Sequence, residues 1–109
     1  MQTEDAKKIS AELYELTMPG QLIGKEVVDS KARRIGVVRN LRVSIPPIKT
    51  EMIVKGLDVE FPVNIENIST VGTVIQLNIA VKEAEEIEIH DILKLRKEIW
   101  DEIKNCFES

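Results

Sequence analysis

Ile35-Gly36-Val37-Val38-Arg39-Asn40-Leu41-Arg42-Val43-Ser44-Ile45 is the stretch that decides the fold. Its apolar side chains fall mainly on odd positions, at Ile35, Val37, Leu41, Val43 and Ile45. Gly36, Asn40, Arg42 and Ser44 fill even positions, and Val38 and Arg39 break the order. Alternation of this kind puts one side of a strand in a core and the other in solvent. Two later runs repeat it. Leu57, Val59, Phe61 and Val63 alternate with Asp58, Glu60 and Pro62, and Ile75, Leu77, Ile79 and Val81 alternate with Gln76, Asn78 and Ala80. Gly24, Gly36, Gly56 and Gly72 punctuate the region, as bends or bulges require. Short strands at this spacing predict a small antiparallel β-barrel or sandwich over residues 21–82. Barrel closure would remove exposed strand edges.

Helical periodicity lies on either side, so the expected class is mainly β with flanking helices. In residues 1–20, Thr3 suits an N-cap, with Glu4 and Asp5 in the first turn. Ala6, Ile9, Leu13 and Leu16 then form a narrow apolar stripe, and Pro19-Gly20 ends it. An N-terminal helix lying on the domain or on a partner subunit is predicted there. Glu12 and Glu15 on its polar face argue against a membrane-surface role.

Residues 83–109 predict a long amphipathic helix, without Gly or Pro from Glu83 to Phe107. Ile92, Leu95, Ile99, Ile103 and Cys106 line one stripe, and Leu93, Trp100 and Phe107 form a second row beside it. A helix of about 25 residues spans about 37 Å, more than one flank of so small a barrel. A domain of about 60 residues also buries only about 60% of the surface of its unfolded chain. Extra burial is expected from the helices or from a second subunit. Two arrangements follow. The helix pairs with its counterpart in a second copy through Ile92, Leu95, Ile99, Trp100, Ile103 and Phe107, or it packs wholly on its own barrel.

Charge separates the same three segments. The chain of 109 residues has a net charge of −4. Residues 1–20 carry −2, residues 21–82 carry +3 and residues 83–109 carry −5. A basic middle can attract RNA, acidic lipid or an acidic protein face. The longest uncharged stretch, Asn67–Val81, has 15 residues with Asn, Ser, Thr, Gly and Gln among them. It is too short and polar to span a bilayer, which needs about 20 apolar residues. Residues 1–20 lack the apolar run of a signal peptide. One Cys makes no internal disulfide and fits a cytoplasmic setting.

Candidate chemistry is sparse. His90 is the sole imidazole and sits among Glu85, Glu86, Glu88 and Asp91, as a solvated surface histidine would. Cys106 falls on an apolar stripe between Glu102 and Glu108, the wrong setting for a nucleophilic thiolate. One His and one Cys do not make the usual zinc sites. No phosphate-binding glycine loop or zinc-protease motif occurs. No catalytic residue, metal or cofactor is expected, and the chain does not read as an enzyme.

Two features read as binding surfaces. Lys31, Arg33, Arg34, Arg39 and Arg42 occur with no acid between positions 30 and 50, and could meet phosphate. Stacking aromatics do not interleave with them, which weighs against single-stranded nucleic acid. Ile45-Pro46-Pro47-Ile48 is a stiff apolar connection between strands. It either folds back on the barrel or offers a hydrophobic contact to a protein partner.

Leu22-Ile23-Gly24-Lys25-Glu26-Val27-Val28-Asp29-Ser30, followed by Arg34-Ile35-Gly36-Val37-Val38, resembles the opening hairpin of the PRC-barrel family, an L-x-G-K-x-V-x-D strand before I-G-x-V. Residues 61–75 are similar to its closing segment, in which a V/I-P strand leads to I-x-x-I-x-x-V-G-D-x-I. Ala32 replaces a common turn glycine, Phe61 a Val or Ile, and Thr73 an Asp. The resemblance covers residues 21–82. It implies a small barrel that binds macromolecules without chemistry of its own. Family branches include a photosynthetic reaction-centre subunit domain, a ribosome maturation factor and stand-alone archaeal proteins, and this chain is most similar to the last. That branch implies a cytoplasmic adaptor in cell division. It would bridge a membrane-anchored SepF-like division protein to other components, without inserting into the membrane itself. A homodimer, or a hetero-oligomer with a related barrel protein, is expected. The Ile45–Ile48 loop and Arg33, Arg34, Arg39 and Arg42 are the expected docking residues. The alternative is an RNA- or ribosome-associated maturation factor that uses the basic face.

Overall fold

The computed structural model describes residues 9–13 and 22–108, with side chains over 22–105. Strands β1 (Ile9–Leu13), β2 (Glu26–Val28), β3 (Arg34–Ile45), β4 (Lys49–Lys55), β5 (Glu60–Asn64), β6 (Ile68–Val71) and β7 (Ile75–Leu77) precede helix α1 (Ile89–Glu108). Six strands are hydrogen-bonded in the order β5-β4-β3-β2-β7-β6, and β1 pairs in addition with β3. All pairs are antiparallel except β2 with β7, so the sheet is mixed.

This sheet is open, which corrects the expectation of a closed antiparallel barrel. Nothing joins β5 to β6 at its two ends. Pro62 lies within β5 and leaves it one N–H short, a composition suited to an edge strand. β6 is largely exposed.

The expected N-terminal helix is corrected as well. Ile9–Leu13 is a strand paired with the outer half of β3, from Ile9 opposite Ile45 to Leu13 opposite Leu41. The rest of the 1–20 segment lies outside the described residues. Ile-Ser-Ala-Glu-Leu supports both periods, because Ile9, Ala11 and Leu13 alternate while Ile9 and Leu13 also lie four apart, at helical spacing. β2 pairs only with the first part of β3. The outer half therefore has an open edge, and the register sets Glu12 opposite Arg42.

The break at Val38-Arg39 is a β-bulge. Val38 pairs with Val54 and Asn40 with Ile53, so Arg39 is the extra residue. The bulge moves the apolar set onto odd positions, so Val38 and then Leu41 face the same side as Val54 and Met52. Gly36 lets β3 approach β4 closely, since a Cβ there would lie 2.5 Å from the Lys55 carbonyl oxygen.

The core joins β2, β3, β4, β5 and β7 to the helix through Val27, Val38, Val54, Phe61, Leu77 and Ile99, with α1 packed chiefly on β3. Helix α1 begins at Ile89, six residues after the predicted start at Glu83. The cause is capture of the intervening backbone. Arg33 donates to the carbonyls of Val81 and Ala84, and the Ile87 N–H donates to the Arg34 carbonyl. Ala84 and Ile87 are buried as a result.

Ala32 occupies the left-handed region at φ 61° in the turn between β2 and β3. A side chain is disfavoured there by about 1–2 kcal/mol, and part of that is recovered in glycine's freer unfolded chain. Ala32→Gly is expected to stabilise the fold by about 0.5–1 kcal/mol, read as a higher midpoint in thermal denaturation. An unchanged or lower midpoint would contradict strain at this turn.

Candidate functional site

The β3–β4 hairpin carries the first candidate site. Its connection places Ile45, Pro46, Pro47 and Ile48 in solvent, and Ile48 is 79% exposed. Of the two alternatives for this loop, the structure shows the apolar tip presented outward. At its base Glu51 is nearly buried and accepts ion pairs from Arg42 at 3.2 Å and Lys49 at 3.3 Å. These pairs hold the base of the tip and mask its charge.

The four arginines do not form a free face, whereas Lys31 is exposed with no ion pair among the described residues. Arg33 Nη2 lies 2.7 Å from Asp29, and Arg34 lies 3.1 Å from Glu26. Arg39 bridges Glu60 on β5 and Glu102 on α1. Arg42 is held by Glu51. The interleaved acids that the sequence places far away, at 51, 60 and 102, are brought to these cations by the sheet and the helix. Arg33 is a clamp between segments rather than an open docking group.

The helix stripe is likewise engaged within the chain. Ile92, Leu95, Ile99 and Ile103 are at most 4% exposed, in the core beneath α1. Of the two arrangements open in the sequence, packing on the chain's own sheet is the one that occupies them. Trp100 is half-buried against Gly24, where an added Cβ would lie 3.0 Å from the indole. The Phe107 and Cys106 side chains lie outside the described residues. Leu93 remains 57% exposed. His90 is exposed beside Glu88 and Asp91, both at 3.5 Å. Among the described residues no group of three or more His, Cys, Asp or Glu could hold a metal ion. No helix among them is long and apolar enough to cross a membrane.

Asp29 was not singled out for a role in the sequence, yet it organises the region. Its buried carboxylate accepts the N–H groups of Lys31 and Arg33, both at 3.0 Å, and Arg33 Nε at 2.9 Å. Burial alone pushes this carboxyl up. The Arg33 side-chain bond, the two backbone N–H groups and the Arg33 charge outweigh burial and hold it below the usual aspartate range. The sequence signals were its place as the last residue of the L-x-G-K-x-V-x-D pattern and its conjunction with Arg33 across a turn.

A second buried patch was also missed. Asn40, Ser44, Glu51 and Ile53 are buried on the face of β3 and β4 opposite to Met52 and Val54. Neither amide atom of Asn40 has a hydrogen-bond partner.

Compared with known proteins, the chain matches no family model and no curated protein.

Because the Asp29 carboxyl titrates lower in the folded state, its stabilisation is full above about pH 4, the unfolded value. It is lost as pH falls through the folded value. Asp29→Asn is expected to cost about 2–3 kcal/mol at neutral pH. The difference from wild type should shrink below about pH 4 in urea titrations at several pH values, and a constant difference would contradict the linkage. Asn40→Leu, which removes both unpartnered amide atoms, is expected to stabilise by about 1–2 kcal/mol in the same titrations.

Proposed function

We propose that this chain is a non-enzymatic adaptor that docks a protein partner on the apolar tip of the β3–β4 hairpin. The observation that carries this is the exposure of Ile48 and its neighbours Ile45, Pro46 and Pro47 at the end of two paired strands. Exposed side chains on a rigid hairpin lose little freedom on binding, which favours association. Two prolines in the tip remove N–H groups that would otherwise need partners in a dry interface. The RNA reading receives less support, because Arg33, Arg34, Arg39 and Arg42 are each neutralised within the chain.

The setting we propose is archaeal cell division, with a SepF-like protein as partner and recruitment to the membrane through it. Its support is the resemblance of residues 22–38 and 61–75 to the PRC-barrel family. Self-association through α1 would draw on surfaces other than the buried stripe, of which Leu93 is the most exposed apolar one.

The test is direct binding of the purified chain to a purified SepF-type protein, beside an unstructured RNA. Ile45→Asp/Ile48→Asp is expected to weaken protein binding by about tenfold or more while leaving the thermal midpoint unchanged. Wild-type binding should change little between low and moderate salt. RNA retention that falls steeply with salt, without protein binding, would replace this reading.

A further inference from the structure

At the other end of β4 from the tip lies a second unpartnered surface. The connection 56–59 between β4 and β5 lies beside residues 85–87 of the run that leads into α1. Between them is a cleft of about 120 Å³. Ile35 and Ile87 form its buried floor, and Leu57 and Val59, 47% and 39% exposed, form its apolar wall. A cavity of about 150 Å³ holds a benzene ring, so this one seats a single aliphatic side chain.

The rim is acidic and uncompensated. Among the described residues Asp58, Glu85 and Glu86 have no ion pair, and Arg34, which lines a neighbouring recess with Glu86, is engaged by Glu26. The backbone adds a second observation. The Ile87 N–H is used inward on Arg34, whereas Glu86 has neither its N–H nor its carbonyl engaged. Glu86 thus has a main-chain donor and acceptor unpartnered beside the apolar cleft. Extended peptides are recognised through main-chain bonds of this kind, with pockets for side chains.

We propose that this cleft docks an extended segment of a partner protein, with one aliphatic anchor flanked by lysine or arginine. The anchor enters between Leu57 and Val59, the cations meet Asp58, Glu85 and Glu86, and the backbone pairs with Glu86. This site is separate from the hairpin tip and does not depend on what the tip binds.

The experiment uses fluorescein-labelled heptapeptides and the full chain, read by fluorescence anisotropy. The probe alternates lysine with valine or isoleucine. One control replaces every lysine by glutamate, and a second replaces the aliphatic residues by serine. The probe is expected to bind at least about tenfold more tightly than either control, and to weaken between about 0.05 and about 0.3 M salt. Glu85→Lys/Glu86→Lys and Leu57→Ser should each lose about tenfold or more. Ile48→Asp at the tip should not alter binding, and thermal melts check that each variant folds. Equal binding of the serine peptide would reduce the site to unspecific charge attraction and overturn the proposal. So would binding that survives Glu85→Lys/Glu86→Lys, or no probe binding at all. Sedimentation without peptide supplies the last outcome. A dimer that Glu85→Lys/Glu86→Lys dissolves would assign the cleft to a second copy of the chain and overturn the peptide assignment.

Discussion

The Asp29–Arg33 pair is the constraint on which the rest of the structure depends. Its carboxylate takes the two N–H groups of the β2–β3 turn, and its charge aims the Arg33 guanidinium at the carbonyls of Val81 and Ala84. The Asp29 carbonyl also accepts from the Gln76 side chain, and the Ser30 N–H donates to Ile79. The Asp29–Arg33 pair and the backbone of its turn thus fasten the β2–β3 hairpin, the last strand and the lead-in to the helix. Backbone groups buried without such partners would cost free energy comparable to lost hydrogen bonds. An isolated buried carboxylate would be costlier still, so the arginine and the aspartate are needed together.

An open sheet leaves its core side to be covered by something else, and α1 does this. A barrel would bury Ile23, Val27, Ile75 and Leu77 by closing on itself. Here Ile92, Leu95, Ile99 and Ile103 cover them. Full burial of such side chains contributes about 2 kcal/mol each, so the helix is part of the fold rather than an appendage. The length of the predicted helix suggested surplus surface for a second copy. That surplus shrinks because residues 83–88 are not helical and because the stripe meets the chain's own sheet.

How much was legible follows from which signals were local. Period-two alternation marked β3, β5 and β7, and its break at Val38-Arg39 marked the bulge. Ala32, noted where a turn glycine is common, is the non-glycine residue with positive φ among the described residues. The N-terminal segment was misread because Ile9 and Leu13 satisfy both periods, and only the open edge of β3 decides between them. The helix start was misread because Ala84 and Ile87 have helical spacing, whereas the bonds that hold them out of the helix come from Arg33 and Arg34, about fifty residues earlier. For the arginines, composition revealed the charge but not its compensation. Glu60 and Glu102 reach Arg39 only through the fold. The apolar tip was legible because two prolines between two isoleucines stand out in any context. The cleft was not, since Leu57 and Val59 matched a strand and Glu85 and Glu86 matched a helix face.

These compensations change what the net charges mean. Within residues 21–82 most of the arginines pair with Glu26, Asp29, Glu51 and Glu60 of the same segment, and its basic excess is drawn on by Glu98 and Glu102 of α1 through Lys55 and Arg39. What remains without a counter-charge around the turn 56–59 and the run 85–88 is acid. The hairpin tip, in contrast, is apolar with its flanking charges paired. β4 separates the two surfaces by its seven residues, or about 24 Å at 3.4 Å per residue. Partners seated at either end would not compete for the same atoms, and they would be discriminated by different physics. The tip selects by apolar burial, which salt affects little, and the cleft by charge, which salt screens within about 10 Å. Two weak contacts held at a fixed separation on one rigid strand raise the effective concentration of the second once the first is made.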